Sequence, residues 1–175
     1  PGTLGTAIMS PTTNTFGWPL TDRSGSTTTR PERSTSVPSH WSASILPSGL
    51  AATNTDLGDP IFSTADGLVL YAGEPSPGWG KLVVIAHTAP DGRPLHSMYA
   101  HLNRIDVALG DLVPRGGKVG TVGTANGYYP AHLHFEMRTS DGVDIGAGYA
   151  MFPLNRLDPA ATVASLRNAG ADEWS

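Results

Sequence analysis

The chain has 175 residues with 11 Lys+Arg against 15 Asp+Glu, a net charge of −4, 39% hydrophobic residues and no Cys. One domain of ordinary size is expected. Mild acidity offers no basic footprint for nucleic acid or anionic lipid, and the missing thiols exclude disulfide scaffolds, Cys nucleophiles, iron–sulfur clusters and thiolate zinc sites. No uninterrupted apolar stretch exceeds that of Leu82 to Ala86, far short of the ~20 residues that span a bilayer. No signal-like apolar region opens the chain, and a start at Pro1 reads as a processed or truncated piece.

Residues 1–48 hold 10 Thr and 9 Ser and read as an extended N-terminal segment, with Phe16-Gly17-Trp18-Pro19-Leu20 as an apolar cluster inside it. That segment is expected to pack on, or lead into, a domain over 49–175, and its placement allows it to lie across a groove there. From about residue 58, short β-type runs are cut by Gly, Pro, Asn and Asp. Strands are expected over Pro60–Ser63, Gly67–Ala72, Lys81–His87, His96–His101, Gly117–Val122 and His132–Arg138, with Asp91-Gly92 as a hairpin turn. Asp111 to Gly117 reads as a connection. Asp158 followed by Pro159, and Gly170 after Asn168, mark one short C-terminal helix. The fold class is therefore mostly β, an antiparallel sheet or sandwich with one short helix.

Of six His, three form two tight groups: His101 in Tyr99-Ala100-His101-Leu102, and His132 and His134 in His132-Leu133-His134-Phe135-Glu136. Strand residues i and i+2 share a face, so His132 and His134 project together while Leu133 and Phe135 turn to the core. Imidazole is both the commonest metal ligand and the side chain best suited to proton transfer near neutrality. Glu136 shares the parity of the two His and is placed to contact an imidazole.

The ordered blocks Asp56-Leu57-Gly58-Asp59-Pro60, Ala65-Asp66-Gly67-Leu68-Val69 and Gly78-Trp79-Gly80-Lys81 to His87 continue through Met98 to Leu102, Gly110 to Gly116, Gly120 to Gly123 and Ala131 to Glu136. Together they resemble the lysostaphin-like zinc endopeptidases of the LytM type, which cleave peptide bonds in bacterial peptidoglycan. The resemblance implies a small antiparallel sheet with one zinc ion in a groove, His134 as a metal ligand, and His101 and His132 as the catalytic pair that assists the metal-bound water and the oxyanion. Zinc lowers the pKa of its water to about 7 and polarises a carbonyl, so such a set is chemically coherent. Tyr99, Asn126, Tyr128 and Tyr129 are expected to line the cleft. The family also implies export to the periplasm or cell envelope.

One departure stands out. The family takes two further ligands from a His-x-Gly-x-Asp segment, and the best match by content, Pro47-Ser48-Gly49-Leu50-Ala51, has Pro and Ala where His and Asp belong. Neither side chain can bind a metal. A second register beginning at His40 keeps the His and puts Ser44 in place of Asp, which makes His40 the candidate second ligand. A third, His87 to Asp91, straddles a hairpin. Asp56 and Asp59 read as turn-capping carboxylates, and Asp141 and Asp144 as a polar turn. Two functions follow: a zinc endopeptidase acting on peptidoglycan peptides, or an inactive relative that binds wall material or regulates a partner cell-wall hydrolase. A biotin- or lipoate-type carrier is disfavoured because Lys118 falls within an expected strand. No nucleophile-elbow, phosphate-loop or dinucleotide signature is present.

Overall fold

The computed structural model describes residues 43–45 as backbone, 56–139 and 155–167. The strands are β1 (Ala43–Ile45), β2 (Pro60–Phe62), β3 (Gly67–Gly73), β4 (Lys81–Thr88), β5 (Pro94–Ile105), β6 (Leu112–Val113), β7 (Lys118–Val122), β8 (Leu133–Thr139) and β9 (Arg156–Leu157), with one helix, α1 (Pro159–Leu166). They form one antiparallel sheet in the order β1-β8-β5-β4-β3-β6; β7 joins it through β5 and carries β2, and β9 pairs with β8. No helix among the described residues is long and apolar enough to cross a membrane.

All six expected strands are present within one to four residues of their expected ends. Asp91-Gly92 closes the β4–β5 hairpin, with Ala89 N donating to Arg93 O at 2.8 Å and Gly92 at φ +82. Asp158 caps α1 by accepting from Ala161 N at 3.0 Å, and Pro159 occupies the first turn. The two-residue strand β6 lies in the stretch expected as a connection, and β9 was not expected; both are too short for a period-2 pattern to show. Asp56 and Asp59 form a turn, Asp59 N donating to Asp56 O at 2.9 Å, and Gly58 N and Val122 N bond across it to Val122 O and Asp59 O. Lys118 opens β7 and pairs with Asp106 at 3.2 Å, away from any hairpin tip.

Register decides which face each side chain takes. Leu95 and Tyr99 of β5, Val83 and Ile85 of β4, and Leu133, Phe135 and Met137 of β8 fill the main core, which Val163 and Leu166 of α1 complete. Burial of side chains this size stabilises by about 1.5–3 kcal/mol each. The opposite face carries Leu82, Val84, Met98 and Ala100, with Tyr71 and Trp79 packed on them. On that face Ala100 pairs with His134, Met98 with Glu136 and His96 with Arg138.

β5 does not keep one parity to its end. Its partner changes from β8 to β7, and between them His101 takes a left-handed backbone, φ +64. Leu102 then returns to the main core. At this bulge Gly123 lies so close that a Cβ there would run into Asn103 N, His101 O and Leu102 C, all backbone.

In the core, His87 Nδ1–H donates to Asp66 O at 2.8 Å, and its Nε2 lies 2.7 Å from Ser97 Oγ. Ser97 Oγ in turn lies 3.0 Å from the Tyr99 hydroxyl, which accepts from Thr64 N at 2.8 Å. Burial, aided by the nearby His96 charge and opposed by the Asp66 carbonyl, brings the His87 pKa down to about 4.

Two outcomes follow. Gly123→Ala should cost about 3 kcal/mol, because the added methyl meets backbone that cannot yield, lowering Tm by roughly 6–12 °C for a chain of this size. Gly78→Ala, whose methyl meets nothing within 4 Å, should leave Tm nearly unchanged. Equal effects in thermal unfolding would contradict the close approach. For His87, the folded pKa lies below the unfolded value of 6.5, so the unfolded chain takes up a proton first. Stability present above pH 6.5 is lost as pH falls toward 4, by at most about 3 kcal/mol. Urea unfolding across that window should show a shallower decline for His87→Gln than for the unsubstituted chain, and parallel declines would refute the assignment.

Candidate functional site

The site is built where β5, β8 and two loops meet on the face opposite the main core. His134 is the second residue of β8, directly beside Ala100, whose small side chain leaves room for the imidazole. His132 stands just before β8, bridged to Gly123. His101 comes from the β5 bulge. The ring of His101 lies 4.9 Å from that of His132 and 5.4 Å from that of His134, so the structure brings together the pair that strand spacing implied and the His101 that the resemblance added.

The rings are fixed by what they hydrogen-bond. The Trp79 carbonyl accepts from both the backbone N–H and the Nδ1–H of His101, each at 3.1 Å. The Pro130 carbonyl accepts from Nδ1–H of His132 at 2.8 Å. A carbonyl only accepts, so both rings carry their proton on Nδ1 and present Nε2 as a lone pair. His101 Nε2 is buried and has no hydrogen-bond partner. His134 differs: its Nε2 lies 2.8 Å from Glu136 Oε1.

Electrostatics keep the first two rings neutral. Burial, with the charges of His134 and His132 adding to it, lowers the His101 pKa to about 3 against the raising effect of the Trp79 carbonyl. Burial likewise lowers that of His132, joined by His134 and opposed by the Pro130 bond. For Glu136, burial pushes the carboxyl upward, but the hydrogen bond from His134 and the charges of His134, Arg138 and Arg156 outweigh it, and the net shift is down.

Aromatic rings wall the cluster. Trp79 stacks on His101 at 6.2 Å and meets His134 edge-on at 5.2 Å, and Tyr129 lies 4.9 Å from His101. Tyr128, on the same loop, is 63% exposed. Asn126 Nδ2 donates to Glu74 Oε1, tying that loop to the one after β3. Among the described residues, the non-Gly positions with positive φ are His101, Ala125 and Asn126. Strain of this kind, on the order of 1–3 kcal/mol each, gathers at functional sites.

Tyr99 is a correction. It was expected in the cleft, yet it is fully buried in the main core, 5.4 Å from the Phe135 ring, with its hydroxyl accepting from Thr64 N. The bulge is the cause: Tyr99 and His101 are two apart, but the left-handed residue breaks the alternation that would put them on one face. His40, Pro47, Ala51, Asp141 and Asp144 lie outside the described residues. Trp79 had been noted only within a motif block; a Trp between two glycines, Gly78 and Gly80, was the available signal.

A zinc hydrolase site needs three protein ligands and an open position. Among the described residues no group of three or more His, Asp or Glu is arranged to hold a metal ion. Pro47 and Ala51 carry no donor atom. The described donor set therefore does not fit a complete zinc site. His101 and His132 each carry an Nε2 lone pair, that of His101 buried, beside the rings of Trp79 and Tyr129.

Residues 49–146 match the model of peptidase family M23. The chain is 42% identical over 81 residues to the cell division protein DipM of Caulobacter vibrioides, 46% of this chain and 13% of that protein. It is 38% identical over 81 residues to the murein hydrolase activator NlpD of Escherichia coli, covering 46% of this chain and 20% of that one. Identity to the peptidoglycan DD-endopeptidase ShyB of Vibrio cholerae is 36% over 83 residues, 47% of this chain and 18% of that protein. The chain thus spans a fifth or less of these relatives' lengths. Among solved structures, an M23 peptidase from Pseudomonas aeruginosa superposes with a TM-score of 0.53 at 28% identity, covering 77% of this chain and 48% of that one. With more than half of its length matched by the family model, the chain belongs to peptidase family M23.

Proposed function

We propose that the chain acts in the cell envelope on peptidoglycan peptides as an M23 domain that binds rather than cuts them, and that it regulates a partner cell-wall hydrolase. The carrying observation is the three-histidine pocket taken together with Pro47 and Ala51, the best match by content to the family's His-x-Gly-x-Asp ligand segment. Without those donors nothing in the described site completes a hydrolytic metal centre, while the pocket keeps two acceptor nitrogens at His101 and His132. A peptide N–H or ammonium group donates to these nitrogens. Trp79 and Tyr129 supply the apolar walls, and the Asn126–Glu74 pair ties the neighbouring loops together. The similarity to an activator of murein hydrolases and to a cell division protein supports the regulatory role.

A second reading is favoured by the buried, unpartnered His101 Nε2 beside His134 and His132. On this reading the chain is a zinc endopeptidase with His134 and His40 as metal ligands and His101 and His132 as the catalytic pair. The similarity to ShyB supports it.

Incubation with purified sacculi, with and without zinc, separates the two. Co-sedimentation without soluble muropeptides is expected, weakened roughly 10- to 30-fold in a His101→Ala, His132→Ala double variant if each lost hydrogen bond is worth about 1 kcal/mol. Zinc-dependent release of muropeptides that disappears in His134→Ala would overturn the binding reading in favour of the peptidase.

A further inference from the structure

The loop between β7 and β8 winds left-handed. Ala125, Asn126 and Gly127 follow one another at φ +47, +58 and +90. The turn is closed by Gly127 N donating to Thr124 O and Tyr128 N donating to Ala125 O, each at 3.1 Å. Such backbone is unfavourable for residues with a Cβ, and less so for Asn, whose short polar side chain bonds locally. At its base the turn is fixed by packing: Ala125 is fully buried, and a Cβ on Gly80 would come within 2.8 Å of Ala125 Cα. Its tip is exposed at Asn126 and Gly127, where Asn126 Nδ2 donates to Glu74 Oε1 on the loop after β3.

Asn126-Gly127 is also the chain's one Asn-Gly step. A glycine after Asn leaves its backbone nitrogen unshielded, and here a Cβ on Gly127 would meet nothing within 4 Å.

We infer that Asn126 is a self-modification site: when its bond to Glu74 opens, the Gly127 nitrogen converts it to aspartate or isoaspartate, and the new carboxylate, facing Glu74, prevents the two loops from joining again.

The chemistry needs only water and hydroxide. Gly127 N gives its proton to hydroxide and attacks Asn126 Cγ. A Cγ–N bond forms, the Cγ–Nδ2 bond breaks, and Nδ2 leaves as ammonia with a proton from water. Water then opens the five-membered succinimide at either carbonyl. Two sets of contacts hold this in check. The bond to Glu74 keeps the amide turned toward the neighbouring loop, and Gly127 N–H is occupied by Thr124 O at 3.1 Å and Thr124 Oγ1 at 3.0 Å.

The consequence is electrostatic. An amide donor facing a carboxylate becomes a second carboxylate, and like charges at that spacing repel. Both loops carry walls of the histidine pocket. Trp79, whose carbonyl holds His101, follows Glu74, and Tyr129, 4.9 Å from His101, follows Asn126. The modification therefore loosens the surroundings of His101, whatever ligand the pocket takes.

The full chain is incubated in mildly alkaline buffer with chelator, and the peptide spanning Asn126-Gly127 is followed by mass. Deamidation adds mass, whereas isomerisation at the Asp-Gly steps does not. Glu74→Ala is expected to react roughly fivefold faster than the unsubstituted chain, the gain in open population from losing one ordinary hydrogen bond. Asn126→Asp is expected to shift the backbone amide signals of Trp79 and Tyr129. Adding Glu74→Gln, which restores a donor–acceptor pair with the roles exchanged, should return them. An unchanged or lower rate in Glu74→Ala, no mass gain in either chain, or shifts that Glu74→Gln does not relieve would each overturn the inference. Should Glu74→Ala not fold, the Asn126→Asp pair of variants still decides.

Discussion

The structure depends on the register of β5. Its twelve residues bond to β4 along one side and to β8 and then β7 along the other, so one strand sets the face of every side chain on its neighbours. Alternation sends Leu95 and Tyr99 into the main core and Met98 and Ala100 to the far face, where they meet Glu136 and His134 of β8. The left-handed residue at the change of partner then swings His101 into the pocket. Gly123, which admits no side chain against that bulge, is the counterpart that lets β7 approach it.

Much of this is legible in residue order because it is local. Val and Ile runs between Gly and Pro mark the strands, Asp91-Gly92 marks the hairpin, and Asp158-Pro159 marks the helix start. The His132/His134 pair and the Glu136 contact follow from period-2 parity alone. Tyr99 fails for the same reason that those succeed: parity holds until a bulge breaks it, and no residue type at His101 announces a positive φ. The two-residue strands are too short to carry a pattern. Arg156 reaches Glu136 from twenty residues downstream, a contact that only the folded sheet supplies. Trp79 acts partly through its backbone carbonyl, which side-chain identity cannot reveal.

The pocket therefore combines a finished part and an altered one. His101 and His134 are buried and His132 is half-buried, each is held by a hydrogen bond beside aromatic rings, and the arrangement costs backbone strain at His101 and desolvation of Glu136, Arg138 and Arg156. On the proposed reading the altered part lies upstream, at Pro47 and Ala51. On that reading the domain recognises a peptide without the ligands that fix a metal-bound nucleophile.

The central claim, an M23 pocket preserved around an incomplete metal site, is met most directly by zinc content per chain. Elemental mass spectrometry after equilibration with one equivalent of zinc and desalting should give close to zero for the unsubstituted chain and no change in His134→Ala or His40→Ala. Close to one zinc per chain, lost in both variants, would contradict the account and establish His40 as the missing ligand.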